Sequence, residues 1–118
     1  MTLFPTKHQI DDLRAGDNSE KVVMLNMLVF KKPEDYTQYS REVGKLLPHY
    51  EGRVIWRGQV RSVVIGEDVP GFHAVMLVEY GNHDKFLAMT SSDEYLAIKH
   101  YRETGLESQW LISMSEMK

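Results

Sequence analysis

The fold turns on Val22–Phe30, VVMLNMLVF. Eight of these nine residues are apolar, so an extended strand here needs cover on both faces. The exception is Asn26 at its centre. A carboxamide in a covered strand costs about 1–3 kcal/mol unless it is hydrogen-bonded. Asn26 is therefore either a structural tie or one wall of a polar-lined pocket, and the residues leave both readings open.

On the amino-terminal side, residues 1–20 read as a short helical arm. Pro5 suits a first helical position, Ile10 and Leu13 share a face, and Gly16, Asp17, Asn18 and Ser19 break the helix. Such a segment is too short to stand alone, so it is expected to lie on the main domain, residues 21–118, through Leu3, Phe4, Ile10 and Leu13.

On the carboxyl side, Pro33 followed by Glu34 and Asp35 is a helix start that the backbone dipole favours. Tyr36, Tyr39, Val43, Leu46, Leu47 and Tyr50 recur at helical spacing, and Pro48 ends or bends the helix near Leu47. Arg53–Gly66 reads as a long second strand, with Gly58 marking a bulge or a close backbone approach. Pro70 and Gly71 turn the chain into a third strand, Phe72–Tyr80, with Phe72, Ala74, Met76, Val78 and Tyr80 on one face. A short helix over His83–Met89 follows. Ser91 and Glu94 are spaced as a capping box for a helix from Ser92 to Thr104, which Gly105 stops. A fourth strand, Ser108–Ser115, closes the chain.

After the arm the order is β-α-β-β-α-β. Right-handed crossovers then give a ferredoxin-like, four-stranded antiparallel sheet with its helices on one face. Strands this apolar cannot leave the other face in water, so a second copy is expected on it, forming a dimeric α/β barrel.

The bulk properties narrow the function. A chain of 118 residues makes one domain with a real core. Net charge is −3 with the signs interleaved and no basic tract, which argues against a nucleic-acid surface. Absence of cysteine removes a disulfide framework, a thiolate zinc site and a cysteine nucleophile. Neither a secretory h-region nor a run long enough to span a membrane is visible, so a cytoplasmic protein is expected. The five histidines lack ligand spacing, and no phosphate loop, dinucleotide fingerprint or serine elbow occurs, so neither a metal nor a cofactor is expected.

The segments VVMLNMLVF at 22–30, YEGRVIWRG at 50–58 and FLAMTSSDEYLAIKHYR at 86–102 resemble the family described as domain of unknown function 1330, in a variety with an extra amino-terminal helix. The resemblance implies the dimeric α/β-barrel scaffold and a small hydrophobic pocket, on a superfamily that includes cofactor-free oxygenases, lactone isomerases, haem-handling enzymes and stress-response domains. The chain departs from the pattern at Glu51, where relatives often have glycine, at Val29, where they have a basic residue, and at Tyr101, where they have histidine. His100 lies about 100° round the helix from that position and does not replace it.

Tyr95 and Arg102, seven residues apart, fall on one face of the expected helix and form the candidate catalytic pair. A phenol and a guanidinium aimed inward would hold a carboxylate or a developing enolate. The plainer reading packs Tyr95 in the core and pairs Arg102 with a structural acid such as Glu79. Asn26, Arg57 and His73 are candidate ligand-binding residues, Arg57 at a pocket mouth or simply solvated. Glu79 shares a strand face with His73 but about 20 Å away, too far for a general-base pair. His8, His49 and His83 fall in surface turns or helix ends, leaving His73 and His100 as the candidates should the protein handle haem. The partners expected are a second copy and a small molecule. Two functions compete: a cofactor-independent enzyme acting on a small apolar or aromatic acid, and a non-catalytic dimer that binds a metabolite or a protein.

Overall fold

The computed structural model describes residues 3–118; residues 1 and 2 of the expected arm lie outside the described residues. Strand β1, Val22–Phe30, is hydrogen-bonded along both edges. Its neighbours are the third strand, β3 (Ala74–Tyr80), and the fourth, β4 (Leu106–Met114), both antiparallel to it. Strand β2 (Arg53–Gln59) pairs with the far edge of β3, giving the order β2-β3-β1-β4. This is the ferredoxin-like βαββαβ arrangement that the residue pattern implies.

The register decides what each face carries. Asn26 stands between Met76 and Leu111, so Val22, Met24, Asn26 and Leu28 share a face with Met76, Val78, Tyr80, Gln109 and Leu111. Val22, Met24, Val78 and Tyr80 are buried in one cluster with Leu47, Met89 and Tyr95, and Leu28 joins Tyr36 and Leu106 in another. The helices therefore lie on this face. They are α2 (Pro33–Leu46), continued by a 3-10 turn over Leu47–Tyr50, then α3 (His83–Ser91), α4 (Asp93–Leu96) and α5 (Lys99–Gly105). The opposite face carries Leu25, Met27, Val75, Leu77, Trp110 and Ile112, with no helix upon it among the described residues.

Local chemistry accounts for most boundaries. Pro33 opens α2 with Glu34 and Asp35 in its first turn. Asn82 caps α3 by accepting from the Lys85 N–H at 2.9 Å. Helix α1, Lys7–Arg14, starts with a reciprocal box in which Thr6 and Gln9 satisfy each other's backbone. Pro5 thus precedes the cap and does not occupy the first helical position.

Four expectations need correction. The second strand stops at Gln59: β3 begins at Ala74, so beyond the rung from the Val60 N–H to the His73 carbonyl (2.9 Å) the residues that follow have nothing to pair with. β-Branched composition does not make a strand without a partner. Phe72 precedes β3 and leaves its helical face, packing edge-on against Trp110 at 5.0 Å between ring centroids. The bulge in β2 lies between Val54 and Trp56, not at Gly58; Gly58 is small because the Trp56 ring lies where a Cβ would be, within 2.3 Å. The helix from Ser92 to Thr104 is two pieces, α4 and α5, and its cap is Ser92, which accepts from the Tyr95 N–H at 3.2 Å.

Gly105 closes the helical layer by close approach rather than by a left-handed turn. A Cβ there would lie 2.6 Å from the Tyr36 nitrogen, and the Gly105 carbonyl accepts from the Lys31 and Lys32 N–H groups at 2.9 and 3.1 Å. Replacing Gly105 with alanine pushes α5 off α2 and is expected to cost about 1–3 kcal/mol. Urea unfolding checks this; a G105A protein as stable as the wild type would show that the contact yields freely.

Candidate functional site

Between the helical layer, the arm and the sheet lies a cavity of about 1080 Å³. Apolar side chains of β1 and β3 form its floor, Met24, Met76 and Val78 among them, and α2, α4 and α5 supply polar groups over it. Tyr39 from α2 and Tyr95 from α4 meet hydroxyl to hydroxyl at 2.7 Å with their rings edge to face. Tyr36 and Tyr80 also line the space, and neither hydroxyl makes a hydrogen bond among the described residues.

Arg102, on α5, is one of the cations lining the cavity, with Arg57 and Lys99. Its Nε donates to Gln109 Oε1 on β4 at 3.0 Å, Gln109 Nε2 donates to Asn26 Oδ1 at 2.8 Å, and Asn26 Nδ2 reaches the Met24 and Met76 carbonyls at 3.3 Å. One guanidinium nitrogen, Nη2, donates to the Leu3 carbonyl of the arm. This chain of amides fixes the guanidinium while leaving N–H groups unspent. No carboxylate pairs with Arg102 among the described residues. Glu79, its suggested structural partner, instead accepts from Arg53 at 3.3 Å and lies 3.5 Å from Lys21.

The sequence-derived residues fall into two groups. Asn26, Arg57, Tyr95 and Arg102 all border the cavity, Arg57 from the exposed edge strand β2. Tyr95 and Arg102 arrive from two helical pieces, so it is the break between α4 and α5, not seven-residue spacing on one helix, that sets their relation. Asn26 ties β1 to the Met76 carbonyl of β3 and to Gln109 of β4. His73 stands apart: it is exposed, its Nδ1 accepts from the Phe30 N–H at 3.0 Å, and its ring stacks on Phe30. His100 is likewise exposed and packs on Tyr101, and neither histidine borders the cavity.

Two cavity residues escape a reading from sequence. Gln109 is invisible because its role depends on β4 register. His83 sits at a helix end, as expected, but it is buried rather than on the surface. It follows the β3 turn onto the first residue of α3, whose buried side the hydrophobic pattern alone does not identify. Among the described residues no three acids or histidines gather as metal ligands, and no helix is long and apolar enough to cross a membrane.

Burial raises the Tyr36 phenol far above its ordinary value, with the Arg102 guanidinium offsetting only part of the effect. Burial likewise dominates for Tyr39, reinforced by Tyr95, and for Tyr80. At neutral pH these three phenols are therefore hydrogen-bond donors rather than bases. A phenol raised in the folded state holds its proton there after the unfolded chain has lost it. Its stability contribution is intact below the unfolded value near 10 and declines as pH rises beyond it. Replacing Tyr36 with phenylalanine, which removes a hydroxyl without a hydrogen bond, is expected to leave the melting temperature at pH 7 little changed and to raise it above pH 10. Thermal melts across pH 7–12 check this, and parallel curves for the two proteins would count against it.

A family model described as domain of unknown function (DUF1330) matches residues 21–115. No curated protein matches the chain. Among solved structures, the chain is similar to RPA0582, a protein of unknown function from Rhodopseudomonas palustris, at 25% identity, covering 98% of this chain and 97% of that one, with a TM-score of 0.89. It is also similar to SnoaB, a cofactor-independent oxygenase from Streptomyces nogalater, at 11% identity over 84% of this chain and 95% of that one, TM-score 0.59. A dimeric protein of unknown function and ferredoxin-like fold from Bacteroides fragilis matches at 13% identity over 85% and 100%, TM-score 0.52. The last two likenesses are of fold alone.

Proposed function

The chain belongs to the DUF1330 family, and within it we propose that this protein is a cofactor-independent enzyme acting on a small apolar or aromatic acid. The observation that carries this reading is Arg102: a partly buried guanidinium, oriented by Gln109 and Asn26, without a carboxylate of its own. A cation in that setting favours an anion strongly, because the surrounding protein screens it less than water does. The ligand's carboxylate takes the free N–H groups of Arg102, and its apolar body lies along Met24, Met76 and Val78. The Tyr39–Tyr95 hydroxyl pair then faces the body of the ligand; one O–H is spent within the pair and the other donates, suited to negative charge that develops on an oxygen.

Isothermal titration with a panel of small arylalkanoic acids tests the binding, with product analysis of the recovered ligand. Binding to wild type and a loss of at least about tenfold in R102L, equivalent to about 1.4 kcal/mol, is the expected result. Equal binding by the two proteins would remove Arg102 from the site. Acids recovered unchanged after long incubation favour the second reading, a non-catalytic metabolite-binding protein. That reading draws support from the Tyr39–Tyr95 pair, to which no carboxylate or histidine hydrogen-bonds among the described residues.

We further propose that the protein is a homodimer closed through the uncovered sheet face. Leu25, Met27, Leu77, Trp110 and Ile112 lie there side by side, and Trp110 is 45% exposed. Two such faces stack at about 10 Å and bury each other's apolar side chains. Leu77→Lys places a charge at the centre of that layer and is expected to yield monomer by light scattering at micromolar concentration. A dimer of unchanged stability in L77K would locate the interface elsewhere.

A further inference from the structure

Two buried phenols of the cavity have hydroxyls to spare. Tyr36 is 6% exposed and Tyr80 4%. Neither hydroxyl makes a hydrogen bond, yet among the described residues Ser108 Oγ is the only unpartnered side-chain oxygen or nitrogen sealed from solvent. Both hydroxyls therefore reach accessible space, and both residues border the cavity. Tyr36 is the one beside Arg102. It packs with Leu28, and Leu28 stands opposite Gln109, the residue that holds the guanidinium. Gly105, one helical turn after Arg102, lies against the Tyr36 backbone. Thr104 donates to Asp35 at 2.8 Å across the same seam between α5 and α2. The Arg102 charge is felt at the Tyr36 phenol, where it offsets part of the effect of burial. A cation so placed draws the phenol oxygen toward itself and turns the O–H outward.

We propose that the Tyr36 hydroxyl donates to a second oxygen of the ligand, carried on the carbon next to the carboxylate, so that the protein takes a 2-oxo acid, an arylglyoxylate in the simplest case. The proposal rests on the reading of Arg102 given above and narrows its acids to those with an acceptor at that position. Because Tyr36 lies beside Arg102, the oxygen it serves is close to the carboxylate that Arg102 takes. A carbonyl there accepts a hydrogen bond that a methylene cannot. Tyr36 sets specificity by this donation, and no bond is made or broken at it.

Benzoylformate and phenylacetate separate this proposal from its premise: both are carboxylate anions at neutral pH, and they differ only by an oxo oxygen in place of the methylene hydrogens. By isothermal titration, wild type is expected to bind benzoylformate about 3- to 10-fold more tightly, the worth of one net hydrogen bond. Y36F is expected to bind the two acids equally, at the wild-type affinity for phenylacetate, and R102L to lose both. Equal affinities in wild type, or a preference that survives in Y36F, overturn the role of Tyr36 and leave that of Arg102 standing. An equal loss of both acids in Y36F puts the hydroxyl on the carboxylate and overturns the oxo assignment. No binding of either acid to wild type overturns both. Should Y36F fail to fold, wild type with carbon-13 at the tyrosine Cζ atoms gives the answer by NMR. The Tyr36 signal shifts further with benzoylformate than with phenylacetate; equal responses to the two acids overturn the assignment.

Discussion

Strand β1 is held from three directions at once, and the architecture depends on that confinement. β3 and β4 occupy both of its hydrogen-bonding edges, and the helical layer occupies one of its faces. A strand enclosed this way has no freedom of register, because a slip of one residue would turn Met24 and Leu28 away from the core. Asn26 adds a polar lock to the apolar one. Its carboxamide bonds the Met24 and Met76 carbonyls and Gln109 together, which works only when β1, β3 and β4 are aligned as observed. The residue that interrupts the most apolar stretch of the chain is thereby the one that ties the sheet to Arg102.

Stability and site share the same parts. The amides that satisfy one another across the sheet end on Arg102, so the guanidinium is oriented by the fold itself. For the ligand proposed above, a cation held in advance would spare the ordering cost at the moment of binding. The arm contributes at both ends: its Leu3 carbonyl accepts from Arg102, and its Asn18 grips Asp84 beside His83. It lies outside the residues that the family model matches, yet RPA0582 aligns over nearly the whole length of both chains.

What could be read from residues alone divides along physical lines. The pattern of apolar residues made the element order and the sheet legible, since the near-continuous apolar run of β1 and the helical spacing in α2 report directly on covered faces. It failed where an outcome depends on a partner remote in sequence. Val60–Ile65 has strand composition but no strand beside it, and Gly105 reads as a helix stop when its smallness serves contact with Tyr36. Arg102 and Tyr95 were visible as polar residues on apolar elements. Gln109 and His83 were not, because the first is positioned by β4 pairing and the second by the turn after β3.

The segment between β2 and β3 carries a liability that the rest of the fold avoids. Val63, Val64 and Ile65 stand consecutively outside any ladder, with Val64 89% and Ile65 93% exposed. Adjacent β-branched side chains with free backbone groups are the composition from which intermolecular cross-strand stacking grows. Their neighbours work against it: Arg61, Glu67 and Asp68 place charge on both flanks, Gly66 and Pro70 deny an extended run, and Asp68 adopts a left-handed conformation at φ 52°. The chain thus keeps a sticky tip in solution by guarding its borders with gatekeepers, and colloidal behaviour, more than folding, is what those flanking residues protect.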